Sequence, residues 1–327
     1  MRIGVLGASR IAELAIVGPA AELGHQLVAV AARDRGRAEA FAGKYGVERV
    51  LDSYQDVIDD AHVDMIYNPL ANGLHARWNL AAIAAGKPVL SEKPFARNEA
   101  EARRVADAAQ ATGVPVLEGF HYAFHPVTQT AFGLAADGTF GEIHSVEVRM
   151  AMPAPGPNDP RWSLELAGGA VMDLGCYAVH IMRTLGRLDV PGVAGAPSVV
   201  RAHAEQRSPG VDARCDAEFA FPGGARGFST NSMVAEDYSF TLRITGTEGD
   251  AFVHDFIHPA DDDRLTVTTA AGATVQHLGT RPSYSYQLEA FVAHVEHGRP
   301  LPFGTGDAVA NMALVDAVYR AAGLALR

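Results

Sequence analysis

Three side chains that can hold or move a proton fall on one face of a predicted helix. Asp173, Tyr177 and His180 are spaced at i, i+4 and i+7, so their side chains share one side of the helix. The Tyr177 phenol can move a proton on or off a substrate oxygen, Asp173 can hold a substrate hydroxyl, and His180 can contact a further hydroxyl. Lys93 is a second candidate for the proton, and its ammonium group would stabilise a neighbouring phenolate. The spacing predicts acid–base chemistry on this face of the helix.

A degraded glycine-rich turn follows the first predicted strand. Gly7 holds the tight-turn position of a dinucleotide fingerprint, whereas Ser9 and Ala12 stand where the second and third glycines are usual. A turn of this kind aims backbone N–H groups at a pyrophosphate, and the Ser9 hydroxyl adds a donor. An ordinary strand-to-helix turn is the alternative. The predicted phosphate contacts are Gly7, Ala8, Ser9, Arg10 and Ile11.

The end of the second predicted strand bears on the choice of dinucleotide. NAD-binding proteins place an acidic residue there against the ribose 2′-hydroxyl, but this strand ends in Ala31-Ala32-Arg33. A guanidinium is suited to a 2′-phosphate, because its fixed fork of donors matches the phosphate oxygens. Asp34 competes for a 2′-hydroxyl but lies further into the turn. The sequence therefore favours NADP over NAD, with NAD still possible.

The predicted elements that carry these residues follow two different patterns of strands and helices along the chain. Short apolar runs alternate with helical spacings in the first third, which is typical of a Rossmann domain, a doubly wound parallel sheet covered by helices. From there on, alternating runs and the turn Pro222-Gly223-Gly224 predict an α+β domain on a mostly antiparallel, open-faced sheet. We expect a dinucleotide-binding domain over 1–121 and a substrate domain over 122–327, with a last helix at about 306–323 packing back on the first domain.

The open sheet face also carries an expectation about assembly. The alternating runs Ala217-Phe219-Phe221 and Phe240-Leu242-Ile244 offer an apolar face in need of cover. This predicts a homodimer or homotetramer formed through the second sheet.

Several motifs in a fixed order resemble the Gfo/Idh/MocA oxidoreductases, a family of sugar and diol dehydrogenases. They are Asn68-Pro69 with Asn72 and His75 downstream, Ser91-Glu92-Lys93-Pro94, and Gly168-Gly169-Ala170 leading to Asp173-Leu174-Gly175-Cys176-Tyr177. The resemblance spans almost the whole chain. It implies a nicotinamide-dependent oxidoreductase in which Lys93, Asp173 and Tyr177 act on the substrate, with tyrosine at the last position as in members acting on dihydrodiols and some sugars. The further cofactor contacts it implies are Asn68, Pro69, Leu70, Asn72, His75, Glu92, Lys93 and Pro94.

Two other segments give substrate-binding candidates. The run from Phe120 to Pro126 matches the family segment that leaves the first domain, but Ala123 stands where many members have arginine. His121 is the candidate to replace that contact. Arg161 and Trp162 resemble a stretch that closes over cofactor and substrate. With His180, these residues complete the predicted substrate site.

Composition narrows the remaining possibilities. The net charge of −11 and the lack of a basic run argue against a nucleic acid partner. Two cysteines are too few for a disulfide framework, and neither a signal peptide nor an apolar stretch of membrane length is recognisable, so we expect a cytoplasmic protein. His254, Asp255 and His258 do not share a strand face, so no metal site is predicted.

Together these observations predict an NADP-dependent oxidoreductase that transfers a hydride between the nicotinamide and a hydroxyl or carbonyl carbon of a sugar, polyol or diol. One alternative is an NAD-dependent glycosidase on the same scaffold, which oxidises the sugar transiently. Another is a non-catalytic NADP(H)-binding sensor, against which the combination of Lys93, Asp173 and Tyr177 argues.

Overall fold

The computed structural model describes all 327 residues and divides the chain into two compact units. One unit comprises Met1–Phe120 with Tyr284–Met312, and the other comprises His121–Ser283 with Ala313–Arg327. The predicted division at residues 121 and 122, with the last helix on the first domain, stays a prediction. No helix combines the length and the apolar character that crossing a membrane requires.

The first unit is built on a six-stranded parallel sheet with the order β3-β2-β1-β4-β5-β6. Its strands are β1 Arg2–Leu6, β2 Gln26–Ala31, β3 Arg49–Val50, β4 Met65–Asn68, β5 Val89–Ser91 and β6 Val116–Glu118. The intervening helices are α1 Gly18–Leu23, α2 Arg35–Tyr45, α3 Tyr54–Asp59, α4 His75–Ala84 and α5 Glu99–Thr112. The chain order reverses between β1 and β4, the position at which doubly wound sheets bind ligands. The predicted Rossmann fold is confirmed.

Local sequence explains most of these elements. The glycines that follow helices, Gly46, Gly86 and Gly113, all adopt left-handed φ angles of 70–72°, which glycine tolerates without steric cost. The helix after β1 begins with a π-helical turn, Glu13–Val17, in which the Gly18 N–H bonds to the Glu13 carbonyl. The short elements β3 and α3 were not predicted, because two and six residues are too few to show a hydrophobic period.

The second unit contains an eight-stranded sheet with the order β14-β13-β12-β11-β7-β10-β9-β8. Its elements in chain order are α6 Pro126–Ala136, β7 Ile143–Ala151, α7 Cys176–Arg187, β8 Ser198–Ser208, β9 Val211–Ala220, β10 Arg226–Ser232, β11 Ser239–Gly246, β12 Gly249–Val253, β13 Arg264–Thr269 and β14 Gly272–His277. All strand pairs are antiparallel except β7 with β10. Pro222-Gly223-Gly224 joins β9 to β10, as predicted. The chain ends with α8 Ser283–His297 and α9 Thr305–Ala321.

The expectation of an apolar open face on this sheet is wrong. Phe219, Leu242 and Ile244 are completely buried, because α6 packs on β12 and β13 while α7 packs on β7. The alternating apolar runs therefore form the unit's own core. The opposite face is predominantly polar, with Phe228 41% exposed on it. Alternation alone identified which residues point together but not that helices of the same chain cover them.

Candidate functional site

The turn after β1 has the geometry of a phosphate-binding loop. Gly7 adopts a φ of 98°, and a Cβ at this position would lie 2.9 Å from Leu70 Cδ2, so only glycine fits. The N–H groups of Ala8, Ser9 and Ile11 make no hydrogen bond within the chain. Ser9 Oγ is buried and has no partner either. Buried polar groups are normally satisfied, so this set of free donors fits a pyrophosphate.

The residues after β2 divide into one free guanidinium and several engaged groups. Asp34 accepts a hydrogen bond from the Arg37 N–H at 3.1 Å and thereby caps α2. Arg35 pairs with Glu39 and Asp52. Arg33 is exposed and has no partner within the chain. Asp34, the alternative ribose contact in the sequence, therefore serves as the N-cap of α2.

Arg37 joins the two parts of this nucleotide end. Its Nη2 donates to the carbonyl of Ala8 at 2.9 Å, so α2 holds the turn that follows β1. No local pattern in the sequence indicates this contact, because only the crossover from β2 to α2 brings Arg37 back to Ala8. The residues fit a dinucleotide with the phosphates at the Gly7 turn, and Arg33 is free to meet an additional phosphate.

His75 connects the two remaining cofactor motifs of the first unit. The side chain is buried, with Nδ1 2.7 Å from the Pro94 carbonyl and Nε2 2.7 Å from the Leu70 carbonyl. Burial lowers the pKa of His75, and the nearby charge of Lys93 acts in the same direction. His75 thus joins the loop after β4 to the Lys93-Pro94 turn and positions both loops, and its own contact with the cofactor stays a prediction. Asn72 is half-buried on the short 3₁₀ turn just before it.

The carboxyl ends of β4 and β5 are fixed by a buried polar network. Asn68 donates to Asn79 Oδ1 at 2.7 Å, and Asn79 donates to Ser91 Oγ at 3.0 Å. Glu92 is almost fully buried and accepts the Tyr67 hydroxyl at 2.9 Å. The result is a rigid base for the half-buried Lys93 that follows.

Tyr284 also faces the charge of Glu92. Burial, with that charge as a smaller contribution, raises the pKa of Tyr284 well above its usual value. Tyr284 therefore stays a neutral phenol. No sequence pattern indicates Tyr284, because it lies far from Glu92 along the chain.

Tyr177 lies at one end of a hydrogen-bonded chain in the second unit. Its hydroxyl is 3.3 Å from His121 Nε2, and His121 Nδ1 is 2.7 Å from Ser283 Oγ. Both rings are buried. His121 thus contacts the candidate catalytic tyrosine, and its expected contact with substrate in place of the family's arginine stays a prediction. Ser283 was not predicted, because it is 162 residues away from His121.

His180 is likewise directed into the protein. It has no exposed surface, and its Nδ1 is 2.6 Å from the Tyr122 hydroxyl. The Tyr122 ring packs against Tyr177 and Phe256 at centroid distances of 5.9 and 5.5 Å. In this structure His180 fixes the aromatic cluster around Tyr177, and its contact with substrate stays a prediction.

Asp173 is carried by a π-helical turn, Val171–Gly175, that leads directly into α7. Such turns are rare in proteins overall, but those that occur are often found at functional sites. Arg161 Nη1 is 3.7 Å from Asp173 Oδ2, while Arg161 Nε donates to Asp159 at 2.9 Å. Burial opposes the charge of this guanidinium, but the two carboxylates prevail and raise the pKa of Arg161. Arg161 therefore orients Asp173.

Trp162 is a packing residue in this structure. Only 9% of it is exposed, its indole N–H donates to the Pro155 carbonyl at 3.2 Å, and the Arg207 guanidinium lies 4.5 Å from its ring centre.

The sequence predicts that His254, Asp255 and His258 form no metal site, and this stays a prediction. His258 pairs with Asp255 at 3.3 Å, whereas His254 contacts Thr266 at 2.8 Å.

Known protein families match residues in both units. The profile described as "Oxidoreductase family, NAD-binding Rossmann fold" matches residues 1–120, and that of the "GFO/IDH/MocA C-terminal domain" matches residues 128–252. The chain is 32% identical to D-xylose 1-dehydrogenase (NADP(+)) 2 of Haloferax volcanii, over 98% of this chain and 97% of that protein. It is 31% identical to trans-1,2-dihydrobenzene-1,2-diol dehydrogenase of Sus scrofa, over 71% of this chain and 67% of that protein.

A solved structure shows the same likeness in three dimensions. KijD10, a 3-ketoreductase from Actinomadura kijaniata crystallised with NADP and TDP-benzene, superimposes with a TM-score of 0.87 at 26% identity. The match covers 98% of this chain and 97% of that one.

Proposed function

Since the chain belongs to the Gfo/Idh/MocA family of oxidoreductases, we propose that it transfers a hydride between NADP and a hydroxyl or carbonyl carbon of a sugar, polyol or diol. Membership in this oxidoreductase family confirms the prediction from the motifs. The relatives support the substrate class, because one acts on D-xylose and another on a dihydrodiol. The observation that carries the proposal is the chain Tyr177–His121–Ser283, which gives an acid–base group a partner for its proton.

The first unit binds the dinucleotide through backbone and side-chain donors. The free N–H groups of Ala8, Ser9 and Ile11 hold the pyrophosphate. Arg33 meets the 2′-phosphate, which distinguishes NADP from NAD. When bound, the nicotinamide ring supplies a carbon that accepts or donates the hydride. The half-buried Lys93 follows the rigid Glu92 motif, and the family resemblance assigns it to catalysis.

Proton transfer in the second unit follows from the order of hydrogen-bonding groups. If His121 Nδ1–H donates to Ser283 Oγ, then Nε2 carries the lone pair and accepts the Tyr177 O–H. During oxidation, the substrate hydroxyl gives its proton to Tyr177 Oη, while Tyr177 passes its own proton to His121 Nε2. The substrate carbon loses a hydride in the same step, which leaves a carbonyl and an imidazolium. Reduction reverses each transfer. Contacts of this length tighten when substrate binds.

Asp173 and its neighbours account for substrate orientation. The carboxylate, held by Arg161, accepts a hydrogen bond from a second hydroxyl of the substrate. Substrates with adjacent hydroxyl groups, as in sugars and diols, supply both the reacting oxygen and this second contact. We propose that Asp173 selects for them.

The test begins with a panel of sugars, polyols and diols, assayed with both cofactors at the absorbance band of the reduced nicotinamide. Tyr177→Phe should lower turnover by about 10²–10⁴-fold and leave the dissociation constant of NADPH nearly unchanged. Lys93→Met should lower turnover by at least the same factor. Tyr238→Phe is the matched control, because Tyr238 lies in the same unit and is 64% exposed.

The same assays separate the competing functions. Hydrolysis of a glycoside without net formation of reduced cofactor would favour the glycosidase. If no substrate were turned over and Tyr177→Phe and Lys93→Met bound NADPH like the parent, the sensor would be the better interpretation. If Tyr177→Phe kept near-full turnover while Lys93→Met lost it, the lysine would be the acid–base residue.

A further inference from the structure

Arg327 and Asp212 form an ion pair that is removed from solvent on both sides. Both side chains are 0% exposed, and Arg327 Nη2 lies 2.6 Å from Asp212 Oδ1. The Tyr319 hydroxyl donates to the same carboxylate oxygen at 3.1 Å, and the Arg327 guanidinium lies 4.2 Å from the centre of the Tyr319 ring. Burying two charges is costly, and an apolar pair of similar volume often stabilises a fold as well or better. Stability by itself therefore gives a weak account of this pair.

The remaining hydrogen bonds of the pair reach the segment that leads to Asp173. Asp212 Oδ2 accepts the Val171 N–H at 2.7 Å, and Arg327 Nε donates to the Gly168 carbonyl at 3.1 Å. The pair thus holds both the beginning and the end of residues 168–171. Val171 is also the first residue of the π-helical turn that carries Asp173 and continues into α7 with Tyr177.

The two glycines of this segment show how closely it is held. Gly169 has a φ of 129°, and a Cβ there would collide with the Asp212 carboxylate. A Cβ at Gly168 would collide with the Arg161 carbonyl. Residues 168 and 169 are therefore enclosed between Asp212 on one side and the turn that supplies Arg161 to Asp173 on the other.

We propose that the Arg327–Asp212 pair is a positioning device for the π-helical turn, so that Arg327 and Asp212 set the placement of Asp173 and Tyr177 without touching substrate. The pair grips one backbone N–H and one carbonyl of the segment, and a displacement of about 1 Å at a catalytic group can cost about 100-fold in rate. The catalytic consequence rests on the proposed function, whereas the placement of the turn can be measured independently.

The experiment compares Arg327→Met, Arg327→Lys and the neutral pair Asp212→Asn with Arg327→Gln. Arg320→Met is the control, because Arg320 lies on the same helix as Tyr319 but its side chain is 59% exposed. Amide hydrogen exchange measures the protection of the backbone N–H groups of the π-helical turn in the full chain, with or without substrate. In Arg327→Met, protection at residues 171–175 should fall by at least tenfold, while strands β7, β9 and β10 keep their protection.

Turnover is measured on the same samples and expressed per folded molecule. Arg327→Met should lower kcat by about 10–100-fold with the NADPH dissociation constant within twofold of the parent. Arg327→Lys should recover part of the loss, and the neutral pair should recover less. Unchanged protection at 171–175, equal loss of protection throughout the second unit, or unchanged kcat with a loosened turn would each overturn the proposal. If Arg327→Met does not fold, Arg327→Lys and the neutral pair decide by the same criteria. A chain that turns over no substrate would refute the proposed function, and hydrogen exchange would still decide whether the pair positions the turn.

Discussion

Arg33→Ala should reduce the preference for NADP(H) over NAD(H) and leave the fold intact. Arg33 is exposed and has no partner within the chain, so its removal breaks no hydrogen bond and leaves no carboxylate unpaired. Any change in affinity therefore reports on the ligand. Its neighbour Arg35 is already engaged with Glu39 at 2.9 Å and with Asp52, and Asp34 caps α2.

The size of the effect follows from the type of contact that would be lost. A charge-assisted hydrogen bond contributes about 1.5–3 kcal/mol, and each 1.4 kcal/mol corresponds to about tenfold in affinity. The dissociation constant of NADPH should therefore rise by about tenfold to somewhat over 100-fold. That of NADH should change by less than about twofold, because NADH has no 2′-phosphate. The difference should shrink as salt concentration rises, since Arg33 is exposed.

The measurement is a titration of the parent and variants with NADPH and NADH at fixed ionic strength, followed by nicotinamide fluorescence. Arg35→Ala is the matched control, because it removes the same charge two residues away and should leave the ratio of the two affinities unchanged. Equal affinity of the parent for both cofactors would refute the reasoning. So would an Arg33→Ala variant that weakens NADH and NADPH by the same factor.

Three further predictions concern stability and assembly. Gly169→Ala should destabilise the chain by about 2–4 kcal/mol in urea unfolding, because it combines a positive φ with a collision against Asp212. Gly43→Ala is the control and should not destabilise the chain, because Gly43 lies in a helix with open space around it. Equal effects of the two substitutions would contradict this account. Arg2 holds the pKa of Asp64 below its usual value, so the stabilisation from this pair is fully present above the unfolded-state pKa of about 4 and is lost as pH falls through the folded-state pKa. Asp64→Asn should accordingly be less stable than the parent at pH 7 and approach it under acid conditions, and a difference that is constant with pH would refute the assignment. The apolar face on which the predicted homodimer or homotetramer rested is covered by α6 and α7, but the family resemblance also suggests such an assembly; light scattering at micromolar concentration should show it, and a monomeric mass would contradict it.

The nucleotide end could be predicted from the sequence because its signals are local. The turn at Gly7 lies within a few residues of the strand that precedes it, and the glycines that end helices act on their own turn. The motif around Lys93 was recognisable for the same reason. The roles of individual residues were less accessible. Arg37 reaches Ala8 across 29 positions, and no local pattern indicates that contact.

The structure gives His121 and His180 partners within the chain that the sequence did not indicate. His180 was a candidate because it shares a helix face with Asp173 and Tyr177, and His121 because it lies beside Ala123, where many members of the family have arginine. Both are buried and contact other aromatic or hydroxyl side chains. A sequence shows the type of a side chain, but its partner depends on which distant strands and helices fold against it.

The sequence by itself determined most of the strands and helices, the glycine turn after β1, and the spacing of Asp173 and Tyr177, because hydrophobic period and backbone preference act over a few residues. Only the tertiary structure decided that Ser283 meets His121, that α6 and α7 cover the apolar face of the second sheet, and that Arg327 holds the segment before Asp173. These contacts join residues more than 25 positions apart, and their energies arise from burial and hydrogen bonding that exist only once the chain has folded.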